Sequence, residues 1–223
     1  MAKEAIMMMN KRQRLFGFTA MELLLTLTVL SAVAMLAVPA FVRQQSKAAT
    51  QITIDSLSQL RTVINNDFMD DMHESLPYPM DPSRQTHPQL RYLYDNPAAY
   101  AAANPDALES TSAWSYDPTT GRGWSGPYVD HRAGIRARYV IDDLRGFVQQ
   151  YGEEGDPVPL DGWGNPIVLQ QPVGSNGVHA PNSTRFARLV SAGPDGILQT
   201  PIFTLEPTPA DTADDLVVYL ESR

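Results

Sequence analysis

Residues 18–41 read FTAMELLLTLTVLSAVAMLAVPAF, 24 positions in which Glu22 is the only ionisable side chain. At a rise of about 1.5 Å per residue, a helix of this length crosses the hydrocarbon core of a bilayer. The stretch therefore predicts a membrane-spanning helix. An ordinary secretory signal has a shorter apolar region with small residues at its cut site, whereas this run is long and lies wholly after Gly17. Lys11, Arg12 and Arg14 precede the run, while Arg43 and Lys47 follow it. That bias predicts a cytoplasmic N-terminus. A carboxylate at the bilayer centre costs about 2.5–3.5 kcal/mol, so Glu22 calls for a cation or a proton. Pro39 lacks a backbone donor and crowds the preceding turn, so the helix is expected to bend or loosen there.

Beyond Arg43 the chain turns amphipathic, with Leu57, Leu60, Ile64 and Phe68 at spacings of three and four. This pattern predicts that the helix continues to about Asp71 and offers one apolar stripe to a head domain. Residues 18–75 contain no glycine and only Pro39, while most of the 18 prolines and 14 glycines come after residue 76. A long helix followed by a loop-rich region is the expected layout. Residues 76–127 read as surface loop with one short helix near 96–108. A further short helix is expected around 141–151. Ile167–Leu169 and Phe186–Val190 read as strands of a small antiparallel sheet, bounded by turn residues. The fold class is α+β.

The formal charge of −8 is unevenly placed. Lys3, Lys11, Arg12 and Arg14 stand against Glu4 in residues 1–17, leaving 13 basic and 24 acidic residues, a net of −11, in the remainder. Nucleic-acid affinity rests on Lys and Arg neutralising phosphates, so such an acidic body argues against DNA or RNA as a partner. With no cysteine, thiolate metal sites, thiol nucleophiles and disulfides are all excluded. His73, His87, His131 and His179 are scattered, none at the i, i+4 spacing of a helical zinc site. Gly123-Trp124-Ser125-Gly126 lacks the nucleophile-elbow spacing, and no phosphate-cradling or dinucleotide glycine motif is present. The adjacent acids Asp142–Asp143 and Glu153–Glu154 read as hydrated surface, and Asn182-Ser183-Thr184 as a chance sequon. The sequence predicts a protein that is not an enzyme.

Gly17-Phe18-Thr19-Ala20-Met21-Glu22, followed by the apolar run, resembles the leader junction of type IV pilins and type II secretion pseudopilins. Trp124-Ser125-Gly126-Pro127-Tyr128, Asp161-Gly162-Trp163-Gly164-Asn165-Pro166 and Ser191-Ala192-Gly193-Pro194-Asp195-Gly196 resemble segments of major pseudopilin heads. The likeness covers residues 10–45 and 123–217. It departs from the family pattern at Gly162, where proline is usual, and at Ile167, where tyrosine is usual.

The resemblance implies a leader over 1–17, a hydrophobic assembly helix over 18–42, an amphipathic continuation over 43–75 and a head over 76–223. It implies cleavage by prepilin peptidase between Gly17 and Phe18, methylation of Phe18, and pairing of Glu22 with the Phe18 amine of a neighbouring subunit. It further implies a homopolymeric pseudopilus built with minor pseudopilins on an inner-membrane assembly platform, with the head in the periplasm. Calcium held by Asp195, Asp214, Asp215 and the Ala192 carbonyl is the implied cofactor, and oxygen donors of this kind suit that ion. A type IV pilin for adhesion, twitching or DNA uptake, and a membrane-anchored enzyme or binding protein, are the alternatives.

Overall fold

The computed structural model describes residues 19–72, 76–77, 88–96, 115–129, 137–172 and 184–221. The chain divides into two units, Met1–Gln45 and Ser46–Arg223. Helix α1 spans Ala20–Thr62 and runs through Pro39 without interruption. It is followed by a π-helical turn, Val63–Phe68, and one α-turn, Met69–Asp71. Together these 52 residues form a helix long and apolar enough, by length and composition, to cross a membrane. In its first part Met21, Leu24, Leu30, Leu36 and Phe41 all stand exposed.

The π-turn has a packing reason. Four residues carry an α-helix about 400° round, some 40° past a full turn, so a strict spacing of four drifts off any one face. Leu60, Ile64, Phe68 and Met72 have that spacing, and all four are buried. Hydrogen bonds of the i to i+5 kind, such as the Met69 N–H donating to the Ile64 carbonyl, take up one more residue per turn and offset the drift. The stripe expected at Leu57, Leu60, Ile64 and Phe68 is thus realised, in a wider helix than the periodicity predicts.

Strands β1 (Ile167–Gln170), β2 (Arg188–Ser191) and β3 (Leu216–Tyr219) form an antiparallel sheet in that order, with Ile167 opposite Ser191 and Arg188 opposite Tyr219. Alternate side chains point to opposite faces of a strand. Ile167, Leu169 and Leu189 pack with Leu57, Ile64 and Phe68 of the helix. Val168 and Val190 pack with Tyr139, Phe147 and Tyr151 on the other side. Both faces of β1 and β2 are covered, which is why every residue of the two strands is buried without alternation, Gln170, Arg188 and Ser191 included.

Three expectations change. The 76–127 stretch is not simply surface loop, because Leu76, Leu90, Tyr92, Leu93 and Trp124 enter the helix-side core. The expected helix at 96–108 lies mostly outside the described residues. No single helix forms over 141–151: Asp142 pairs with Phe147, and only two 3-10 turns, Asp143–Arg145 and Gln149–Tyr151, appear. The Asp142 carboxylate accepts the Arg145 N–H, and Gly146 at φ +81° closes the turn before an α-helix can propagate. The second strand begins at Arg188 rather than Phe186, since Ala187 donates back to the Thr184 carbonyl in a turn.

Phe68→Ala, which empties the centre of the helix–sheet contact, is expected to cost about 3–5 kcal/mol, against about 0.5–1.5 kcal/mol for Ile64→Val. Urea titration of the detergent-solubilised chain followed by tryptophan fluorescence measures both.

Candidate functional site

Gly17 and Phe18 lie outside the described residues. Glu22 is described, and it closes the start of α1. The Thr19 hydroxyl accepts the Glu22 N–H at 3.2 Å, while a Glu22 carboxylate oxygen accepts the Thr19 N–H at 3.3 Å and its hydroxyl at 3.5 Å. This is a capping box, in which two otherwise orphaned backbone donors are satisfied reciprocally. The Thr-x-x-Glu spacing that announces it is present in the sequence and goes unread when Glu22 is considered only as a buried charge.

In the head, the two turn motifs close on one another. Asp161, almost fully buried, accepts the N–H groups of Trp163 and Asn165 at 2.9 and 2.8 Å and the Ser191 hydroxyl at 2.7 Å. The Asn165 amide donates to the Gly193 carbonyl at 3.1 Å. Arg145 donates to the Asn165 side-chain oxygen at 2.6 Å and to the Gly196 carbonyl at 2.7 Å. Short polar side chains thus hold the 161–166 turn against the 191–196 turn.

The first turn is also fastened to the helix. Gly162 donates to the Thr53 hydroxyl at 2.9 Å, and Thr53 in turn donates to the Ala49 carbonyl at 2.8 Å. A Cβ on Gly162 would fall 2.2 Å from the Ala49 carbonyl oxygen. Glycine at this position therefore has a local cause: proline would remove the donor and collide with α1.

Of the four predicted metal ligands, Asp195 and Asp214 are brought together, the Asp195 N–H donating to Asp214 Oδ2 at 3.2 Å. Asp195 spends its own carboxylate on the Ile197 N–H at 2.7 Å and the Gln199 amide at 2.6 Å. Ala192 is fully buried beside them in sequence. Asp215 Oδ2 accepts the N–H groups of Gln199 and Thr200 and the Thr200 hydroxyl, at 2.9, 2.6 and 2.6 Å. Its Oδ1 is buried with no hydrogen-bond donor among the described residues, and so is Gln199 Oε1. Burial raises the Asp215 pKa above its ordinary 3.8, partly opposed by the bonds from Thr200 and Gln199. Two undonated oxygens are chemically suited to a hard cation such as calcium. No group of three or more His, Cys, Asp or Glu side chains near enough to hold a metal occurs among the described residues.

The Trp124–Tyr128 segment is architectural. The Trp124 indole donates to the Tyr92 carbonyl at 2.8 Å, and the Tyr128 hydroxyl donates to Asp71 at 2.8 Å, where the Ser125 hydroxyl also bonds. Burial and the Asp71 carboxylate push the Tyr128 pKa up to about 12. The adjacent acids likewise serve the backbone: Asp142 caps its turn, and Glu154 accepts the Ile141 N–H at 2.9 Å. All four histidines, and Asn182 and Ser183 of the sequon, lie outside the described residues.

Gly162→Ala should lower the thermal midpoint by several degrees, since a destabilisation of about 1 kcal/mol moves a domain of this size by roughly 2–4 °C and the collision is with backbone. An unchanged melting curve would contradict the fastening. A carboxyl group whose pKa is raised by folding favours the native state most below its unfolded pKa, and that advantage is lost as pH rises through the folded value. In chelator, Asp215→Asn should therefore flatten the fall in midpoint from about pH 4 upward, measured by calorimetry against the parent chain.

No family model, no curated protein and no solved structure matches the chain.

Proposed function

We propose that the protein is the structural subunit of a type II secretion pseudopilus, processed by prepilin peptidase and polymerised through α1 to drive export across the outer membrane. The observation that carries this reading is the exposed apolar first part of α1, with one carboxylate in its first turn. Each side chain such as Leu24 or Leu36 left in water forgoes about 1.5–3 kcal/mol of burial, so the surface is suited to lipid or to packed copies of the same helix. A residue such as Glu22 is costly in hydrocarbon unless paired. In this reading its capping bonds to Thr19 serve the single chain, and the amine of a neighbour's Phe18 becomes its partner on assembly.

The subunit resides in the inner membrane with its N-terminus cytoplasmic and its head in the periplasm, and it assembles with itself and with minor pseudopilins on the inner-membrane platform. Lys11, Arg12 and Arg14 immediately before the apolar run support that orientation. Asp214, Asp215, Gln199 and the Ala192 carbonyl would hold calcium, which would supply positive charge to the undonated oxygens. Asp195 would contribute by exchanging its bond from Gln199.

Mass spectrometry of the chain from cells containing the peptidase is expected to find Phe18, methylated, as the first residue; a chain still carrying residues 1–17 overturns the assignment. Glu22→Ala should insert normally but fail to enter filaments, and electron microscopy showing normal filaments would sink the pairing. Calcium should raise the thermal midpoint of the parent chain and leave Asp215→Ala unmoved.

A further inference from the structure

Asp215 spends its carboxylate on one side only. Oδ2 accepts three bonds, from the Gln199 N–H at 2.9 Å and from the Thr200 N–H and hydroxyl at 2.6 Å each, while Oδ1 is buried with no donor among the described residues. A carboxylate has about four lone-pair sites shared between two oxygens, so three donors fill one oxygen and leave the other whole. Buried polar atoms ordinarily find partners, and so lopsided an arrangement needs a cause. Thr200 supplies two of the three donors and is itself buried.

The segment that carries Thr200 is pinned on both sides. Before it, the Leu198 N–H donates to the Arg145 carbonyl at 2.8 Å. After it, the guanidinium of Arg188, which has no solvent exposure, donates to the carbonyls of Pro201, Thr204 and Leu205 at 2.7, 2.8 and 3.3 Å. Arg188 also donates to the Gln170 side-chain oxygen at 2.9 Å, and the Gln170 amide donates to the Thr200 carbonyl at 3.2 Å and the Tyr151 hydroxyl at 2.8 Å. A buried guanidinium is expensive unless its donors are used. Here they hold the 200–205 loop, through its own carbonyls and through Gln170. Gln170 and Arg188 stand opposite one another on β1 and β2, so the place of Thr200 is set by the sheet and not by the carboxylate it bonds.

A carboxylate that ligates a metal depends on outer partners to hold it in place, and losing one typically costs about 10–100-fold in metal affinity. We propose that Thr200 is the positioning residue of the calcium site, its hydroxyl holding the Asp215 carboxylate so that Oδ1 is left to the ion. The assignment rests on the calcium reading above and deepens it, because Thr200 touches no ion and acts through Asp215.

Thr200→Val removes the hydroxyl and nearly keeps the shape, whereas Thr200→Ser keeps the hydroxyl. Thr208→Val is the matched control, since the Thr208 hydroxyl bonds Asp211 at 2.7 Å at an exposed position further along the chain. Each detergent-solubilised full chain is stripped with chelator and titrated with calcium by calorimetry, well below its melting midpoint in chelator. Thr200→Val is expected to bind calcium about 10–100-fold more weakly than the parent, Thr200→Ser and Thr208→Val to bind as the parent does. Thr200→Ala, which also lacks the hydroxyl, takes the place of Thr200→Val if the latter does not fold. A merely structural hydroxyl would lower the midpoint in chelator and leave the affinity of the folded chain as it was, and that result overturns the proposal. Thr200→Ser as weak as Thr200→Val, or an equal loss in Thr208→Val, also overturns it. A parent chain that binds no calcium is a different failure, which removes the calcium reading and the role of Thr200 with it.

Discussion

The head is organised around one contact, the face of the helix bearing Leu57, Leu60, Ile64 and Phe68 against β1 and β2. Everything else in the head is arranged around the burial of that stripe. The i to i+5 turn at Val63–Phe68 keeps the stripe on one side, and Leu90, Leu93 and Trp124 fill the space the three short strands leave open. At the other end of the stripe, Ala49 and Thr53 are small enough for the 161–166 turn to lie directly on the helix backbone. A sheet of three four-residue strands has little stability alone, so the helix is as much the sheet's support as its cover.

The polar groups follow the same logic. Asp161, Asn165, Ser191 and Arg145 tie two turns together because those turns approach too closely for apolar side chains to fill the gap, and buried backbone groups must find partners. Asp161 is spent on that task, Asp195 accepts from Ile197 and Gln199, and Asp214 accepts from Asp195. Asp215 differs from the others in keeping one buried oxygen with no donor among the described residues.

Much of this was legible in the residues. The uniform apolarity of 18–41 and the three-and-four spacing of 57–68 specify one long helix with two different faces, because helical periodicity is a local property. The turn motifs at 161–166 and 191–196 could be read for the same reason, since Gly, Pro, Asn and Asp punctuate the chain through their own backbone preferences. The capping box of Thr19 and Glu22 was equally local and readable. The single short helix expected at 141–151 does not form, and the surface reading of 76–127 fails at Leu76, Leu90, Tyr92, Leu93 and Trp124, where local propensity meets tertiary demand. Asp142 and Gly146 stop a helix after one turn, and Leu90, Tyr92 and Leu93 are drawn inward by the open side of the stripe.

The sequence by itself determined that this protein has a bilayer-length apolar helix, a carboxylate near its start, and an acidic head of mixed helix and strand, because charge, length and periodicity need no partner to be read. Only the tertiary structure decided that Gly162 rests on Ala49, that Arg145 joins the two turns, that Arg188 is buried against the carbonyls of Pro201, Thr204 and Leu205, and that Asp215 keeps an oxygen with no donor among the described residues. Those outcomes depend on which residues, more than a hundred positions apart in the case of Thr53 and Gly162, are brought within hydrogen-bond distance. Distance along the chain carries no record of that.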